Sequence, residues 1–444
     1  MKILIVGNGD SAIHLAKMLS HEEQDVVVMG TDRDVLSNLD SRYNVMTMYG
    51  RAISISDLKA AGVAGCDLFI AVTPYENHNI VSAQMAKWLG ARTTLARIDN
   101  GELLDADAKE HFKTLGIDKM VYPELLAAKE IDASLAHSGL RSLYSLSNGE
   151  ICVFCLKIEE NAPIDGMSLV EFGKTTGNFH VSLIKRNGDS IIPGGSYSIE
   201  KNDVVYFTAL PGNERELTEL CGKRMMRIGK VMISGAGKMS ETLVPMLSPK
   251  YGVTVIDPDR ERCLRLSAMA PSATVVNADA RDIDVLREEG IRDDCAFVAL
   301  GDTSEKNIVC AIVAKDLGAV KTIAQIEDIQ YFDEAQNLDI DAVVNKKLLT
   351  SSRIYQILLD SYLDSPRCLA FEDTEIVEIV VCESSYITRR DVRDLDLSDD
   401  MTIAGLTREG KGMLVKGSSR ICAGDHVIVF CRRGSLKKVE KLFK

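Results

Sequence analysis

The chain is predicted to be an α/β protein with two doubly wound parallel sheets, each followed by a small α+β module. Three observations predict this. A strand, a glycine turn and a helix open the chain at Gly7-Asn8-Gly9-Asp10-Ser11-Ala12 and recur at Gly235-Ala236-Gly237-Lys238-Met239-Ser240, an offset of 228 residues. Apolar strands alternate with helical stretches in both copies, and each copy closes in short strands and turns. The chain therefore reads as a tandem duplication, each repeat long enough for an α/β unit plus an attached module.

In the first copy, Lys2 to Val6 is a mostly apolar run of the kind buried between helix layers, and the glycine turn follows it directly. Ser11 to Leu19 then places Ile13, Ala16 and Leu19 at helical spacing, and Val26 to Met29 reads as the second strand. Val45–Tyr49, Leu68–Val72 and Thr93–Ile98 read as further strands. The second copy repeats the order with Val231–Ser234, Val253–Ile256, Thr274–Val276, Ala296–Leu300 and Lys321–Ile326. Such alternation implies a parallel sheet whose ligand crevice lies at the carboxyl ends of its strands.

Short strands and turns take over from about Leu143 to Cys221 and again from Ile376 to the end, with Asn187-Gly188 and Glu409-Gly410 as turns. Four units are expected: 1–140, 141–224, 225–365 and 366–444, with Lys223-Arg224-Met225-Met226-Arg227 as a basic linker before the second fold.

A formal charge of −13 on 444 residues argues against a nucleic-acid partner. No apolar run reaches the roughly 20 residues of a membrane span. The eleven cysteines are scattered and mostly set in apolar stretches, which suggests reduced thiols and no structural disulfides. Cys152 and Cys155 form a CxxC inside a strand, where alternation sends them to opposite faces, and no second CxxC or histidine pair completes a metal site.

Glycines at the two turns let backbone N–H groups approach a pyrophosphate at the positive end of the next helix. The second copy adds Asp257, 20 residues after Gly237, where a carboxylate can accept both ribose hydroxyls of NAD(H). The first copy has Gly30 at that place, with Asp32 matching Asp259. Without the acid, Thr31 and Arg33 favour a phosphorylated ribose, or the pocket takes ATP or ADP, or it is empty.

This arrangement resembles, over essentially the whole chain, the TrkA family of regulatory subunits in Trk potassium-uptake systems, built of two tandem RCK/KTN units with Rossmann-like N-terminal and RCK-C modules. Position by position, the resemblance implies that Asp279 and Ala280 of Ala278-Asp279-Ala280 meet the adenine side of a ligand, where the first half has Gly50-Arg51-Ala52. Arg51 is then either part of that pocket or a solvated surface charge. Thr73 matches a strand-end threonine, with Gly301 as its counterpart, and Arg97 matches a phosphate-binding arginine, with Gln325 as its counterpart. Gly7, Asn8, Gly9, Asp10 and Ser11 in the first half, and Gly235, Ala236, Gly237, Lys238 and Met239 in the second, make up the phosphate turns.

The resemblance further implies a cytoplasmic, non-enzymatic switch held at the inner face of the membrane by a TrkH- or TrkG-like potassium channel. It implies a homo-oligomer, dimer or tetramer, in which helices such as Leu125–Ile131 and Leu348–Ile354 cross over to pair subunits. The alternative is an NAD-dependent oxidoreductase, which requires a general acid or base beside the nicotinamide; no matching histidine pair or other catalytic constellation is visible.

Overall fold

The computed structural model of the protein describes residues 1–20, 24–292, 294–362, 368–370, 374–395, 397, 400–433 and 435–443. The boundary expected at 365 falls outside them. The chain divides into two compact units, one of Met1–Ala127 with Lys346–Tyr362 and one of Ala128–Asn345 with Leu363–Lys444.

The first unit is built from β1 (Lys2–Val6), α1 (Asp10–Ser20), β2 (Asp25–Gly30), α2 (Arg33–Arg42), β3 (Met46–Tyr49), α3 (Ile55–Ala60), β4 (Leu68–Ala71), α4 (Glu76–Trp88), β5 (Thr93–Arg97), α5 (Ala106–Thr114) and β6 (Lys119–Val121). Its strands lie parallel in the order β3-β2-β1-β4-β5-β6, so the direction of winding reverses between β1 and β4. The crevice of such a sheet lies at that reversal, beside the glycine turn. β1 and β4 are buried almost throughout because helices cover both faces, which is why they read as unbroken apolar runs. The sixth strand, β6, was not foreseen; at three residues it is too short to show a period.

Helix α6 (Pro123–Ala136) leaves the first sheet, and β7 (Ser142–Leu146), β8 (Ile151–Lys157), α7 (Leu169–Thr175), β9 (Phe179–Arg186), β10 (Asp189–Ile191), β11 (Val204–Ala209) and α8 (Glu214–Leu220) form the first small module. The second sheet follows as β12 (Lys230–Ser234), α9 (Lys238–Leu247), β13 (Gly252–Asp257), α10 (Arg260–Met269), β14 (Thr274–Asn277), α11 (Ile283–Glu288), β15 (Cys295–Ala299), α12 (Ser304–Asp316), β16 (Lys321–Gln325), α13 (Gln330–Asn337) and β17 (Ala342–Val344). Its order, β14-β13-β12-β15-β16-β17, repeats that of the first.

After α14 (Lys346–Tyr362), the last module holds β18 (Cys368–Ala370), β19 (Thr374–Val380), β20 (Met401–Arg408), β21 (Lys411–Leu414), β22 (His426–Arg432) and α15 (Leu436–Phe443). The two module sheets run β10-β9-β11-β8-β7 and β18-β19-β22-β20-β21. They share one core, in which Val153, Cys155 and Tyr206 of the first meet Ile376, Ile428 and Phe430 of the second. Cys152 instead joins the cluster on the other face of β8, so the CxxC is split by strand alternation as its spacing predicts.

The expected linker at Lys223 is more than a tether. Its ammonium is mostly buried and pairs with Glu159 at 3.1 Å and Asp341 at 3.5 Å. Each crossover helix also engages the opposite half of the same chain. In the first unit α14 lies on α1, where Ser351 Oγ donates to the Ser11 carbonyl at 3.1 Å. In the second unit, Lys321 of β16 donates to the carbonyls of Ser134, His137 and Leu140 at the end of α6, capping groups a helix C-terminus leaves open.

Candidate functional site

The second crevice is set by backbone geometry at Gly235. Its φ of +102° and the 2.5 Å that would separate a Cβ from the Leu300 carbonyl oxygen both exclude a side chain. Nothing lies within 4 Å of a Cβ built at Gly237, so the mouth of α9 is open where a phosphate would approach. Lys238 is exposed there, while Ala236, Met239 and Ala280 are buried, and Ala280 still lines the cleft.

Asp257 ends β13 and is only 3% exposed. Its Oδ2 accepts the Ala236 N–H at 2.6 Å and its Oδ1 accepts the Asp259 N–H at 2.7 Å. Each oxygen keeps a lone pair after these bonds, so a ribose diol can still be received by an acid that is already fixed in place. Asp279 is held by Arg281, whose Nε lies 3.0 Å from both carboxylate oxygens. These bonds lower its pKa to about 2. Asp257, Asp279, Arg281, Arg262, Gly301 and Lys306 are among the residues that line one open cleft. Arg262, half-buried against Asp302, and the exposed Arg281 were not anticipated, since single arginines carry no periodic signal.

The first crevice uses the same turn with different furniture. Gly7 has φ +127° and would place a Cβ 2.8 Å from the Val72 carbonyl oxygen, while Gly9 faces open space. Gly30, the residue in place of the acid, is covered by Asn8: a Cβ there would meet Asn8 Cβ at 2.7 Å. The two halves have thus exchanged sizes, Asn8 with Gly30 against Ala236 with Asp257. Asp32 is no substitute acid. It is the N-cap of α2, as Asp259 is of α10, each accepting two backbone N–H groups of the first helical turn. Arg33 lies over the Tyr49 ring at 4.4 Å.

Arg51 is exposed, and its backbone N–H donates to Asp57 at 2.8 Å. Arg97 pairs with Asp99 at 3.0 Å and Thr73 is buried at the end of β4. Thr73 Oγ1 donates to Asn79 Oδ1 at 2.7 Å, and Asn79 Nδ2 reaches the Thr73 and Arg97 carbonyls at 3.0 Å each. Asn307 makes the matching bonds to the Gly301 and Gln325 carbonyls at 3.0 and 2.8 Å. One buried asparagine per half therefore ties together the two strand ends that flank each crevice. Asp10 opens α1, and its carboxylate is paired with Lys347 of α14 at 2.5 Å.

Fold and crevices define a class: a tandem protein of two Rossmann-type folds, each with a β-rich companion module. The sequence matches the TrkA-N domain over residues 3–123 and 231–346 and the TrkA-C domain over 154–222 and 376–444. The chain belongs to the TrkA family, with the N- and C-domains each present twice. It is 28% identical to the Trk system potassium uptake protein TrkA homolog of Archaeoglobus fulgidus, covering 100% of both chains. It is 27% identical to the TrkA of Halomonas elongata, covering 100% of this chain and 99% of that one. Among solved structures, the GsuK RCK domain superposes with a TM-score of 0.59 at 16% identity, covering 100% of this chain and 94% of the other. The GsuK channel bound to NAD gives 0.59 at 16%, covering 100% and 78%.

Proposed function

We propose that the chain is a cytoplasmic, nucleotide-binding regulatory subunit that gates a Trk-type potassium-uptake channel. The observation that carries this reading is the open glycine turn braced by Asp257, in a chain collinear from end to end with relatives named as Trk potassium-uptake proteins. The second crevice suits NAD(H), since a carboxylate at the end of β13 accepts ribose hydroxyls and repels a 2′-phosphate. The first, with Gly30 in that place, suits ADP or ATP as well as NAD(H), and Arg97 and Arg51 are its candidate cations.

Units 1–140, 141–224, 225–365 and 366–444 serve in this reading as two nucleotide folds and two companion modules. The partner is a TrkH- or TrkG-like channel, engaged by a dimer or tetramer of this chain at the inner face of the membrane. Among the described residues no helix is long and apolar enough to cross a membrane. A ligand shifts such a switch only by its differential affinity for two states, so each crevice must change shape between them. The oxidoreductase reading gains no support from His180, which sits in the module sheet with its pKa pushed down to about 4 by burial.

The test is rubidium flux through a Trk-type channel reconstituted in vesicles with the purified chain. NADH and ADP are expected to change the flux at micromolar to millimolar concentration, with no nicotinamide turnover. Flux indifferent to every nucleotide would refute the reading.

A further inference from the structure

In the first unit the phosphate turn is completed by the far end of the sequence. Helix α14 is seated by buried Ile354, Tyr355 and Leu358 and by the Ser351 bond to Ser11. One helical turn earlier, Lys347 reaches Asp10, the first residue of α1, and pairs with it at 2.5 Å. Asp10 stands where a ligand phosphate meets the helix N-terminus, and its carboxylate alone would repel that phosphate.

The second half solves the same problem locally, with Lys238 at the position of Asp10. The crossover helices are reversed to match. Aligned from the strands that precede them, β6 and β17, α6 carries Glu124 where α14 carries Lys347. Glu124 pairs with Lys346 of α14 at 3.5 Å, so the aligned positions differ in charge, Asp10 and Lys347 against Lys238 and Glu124, and each phosphate turn has a lysine position of its own.

We propose that Lys347 is the phosphate-binding cation of the first crevice, donated by the second half of the chain to a nucleoside diphosphate or triphosphate. This rests on the reading of the first crevice as a nucleotide site. A phosphate seated at Gly7 to Gly9, over the open face of Gly9, accepts from the Lys347 ammonium beside Asp10. The bound ligand then touches α1 and α14 together, so occupancy of the first site fixes the helix that leads into the last module. Arg97 and Arg51 lie on the first half itself and cannot make that link.

The test is calorimetry of ADP with the full chain carrying Asp257→Ala, so that binding heat reports the first crevice. Lys347→Gln is expected to weaken ADP at least tenfold and flatten its salt dependence, while Lys347→Arg stays within threefold. Asp10→Asn, which leaves α14 its lysine, is expected to tighten ADP severalfold and serves if Lys347→Gln lowers the melting temperature. ADP affinity within twofold of the parent in both Lys347→Gln and Asp10→Asn overturns the proposal alone. Absence of ADP and ATP binding in the parent overturns the nucleotide reading of the crevice and the proposal with it.

Discussion

The Asp257 carboxylate accepts the backbone N–H of Ala236 at 2.6 Å, so the acid that would recognise a ribose also holds the glycine turn that would recognise a pyrophosphate. Ligand recognition and turn geometry are thereby one element. Asp257→Ala should cost about 1–3 kcal/mol of stability, through an orphaned buried N–H, and weaken NADH at least tenfold. Chemical denaturation and calorimetry on the same variant check both effects.

Gly235 and Gly237 are two residues apart and should behave oppositely. Gly235→Val forces a side chain against the Leu300 carbonyl at positive φ and is expected to abolish folding of the second unit or lower its stability by several kcal/mol. Gly237→Val enters open space and should leave the melting temperature nearly unchanged while blocking nucleotide. Melting curves with and without NADH separate the two.

Asn307 is 1% exposed and bridges the ends of β15 and β16. Asn307→Ala leaves the Gly301 N–H and two carbonyls without their partner, a loss of about 2–4 kcal/mol. Asn79→Ala should do the same in the first unit, and hydrogen exchange should show which crevice loosens.

His180 gives the protein an acid-sensitive limb. Burial holds its pKa down to about 4, whereas the unfolded chain titrates near the ordinary value of 6.5. Below pH 6.5 the unfolded state binds the proton first, so stability falls as pH drops from 6.5 to about 4. His180→Gln should remove that contribution from a stability profile measured over this window.

How much of this was written in the sequence can be judged residue by residue. Gly7, Gly235 and Asp257 were found because a turn and a strand end impose residue types at fixed spacing. The split of Cys152 from Cys155 followed from the period of a strand. Asp32 was aligned correctly with Asp259 and set apart from the ribose acid, but the helix-capping role the two share shows only in the structure. Lys347 was invisible as a site residue, because its meeting with Asp10 depends on a crossover that no local pattern records. The swap of Asn8 and Gly30 for Ala236 and Asp257 was present in the aligned halves, yet only the packing gives it meaning.

The central claim, that two cofactor-shaped crevices in one chain report nucleotides to a potassium channel, is tested most directly by titrating the full chain with NADH and then ADP in a calorimeter. The account predicts saturable binding of both, with the NADH heat of the second crevice lost in Asp257→Ala and the ADP heat of the first retained. No saturable heat from either nucleotide up to millimolar concentration would contradict it.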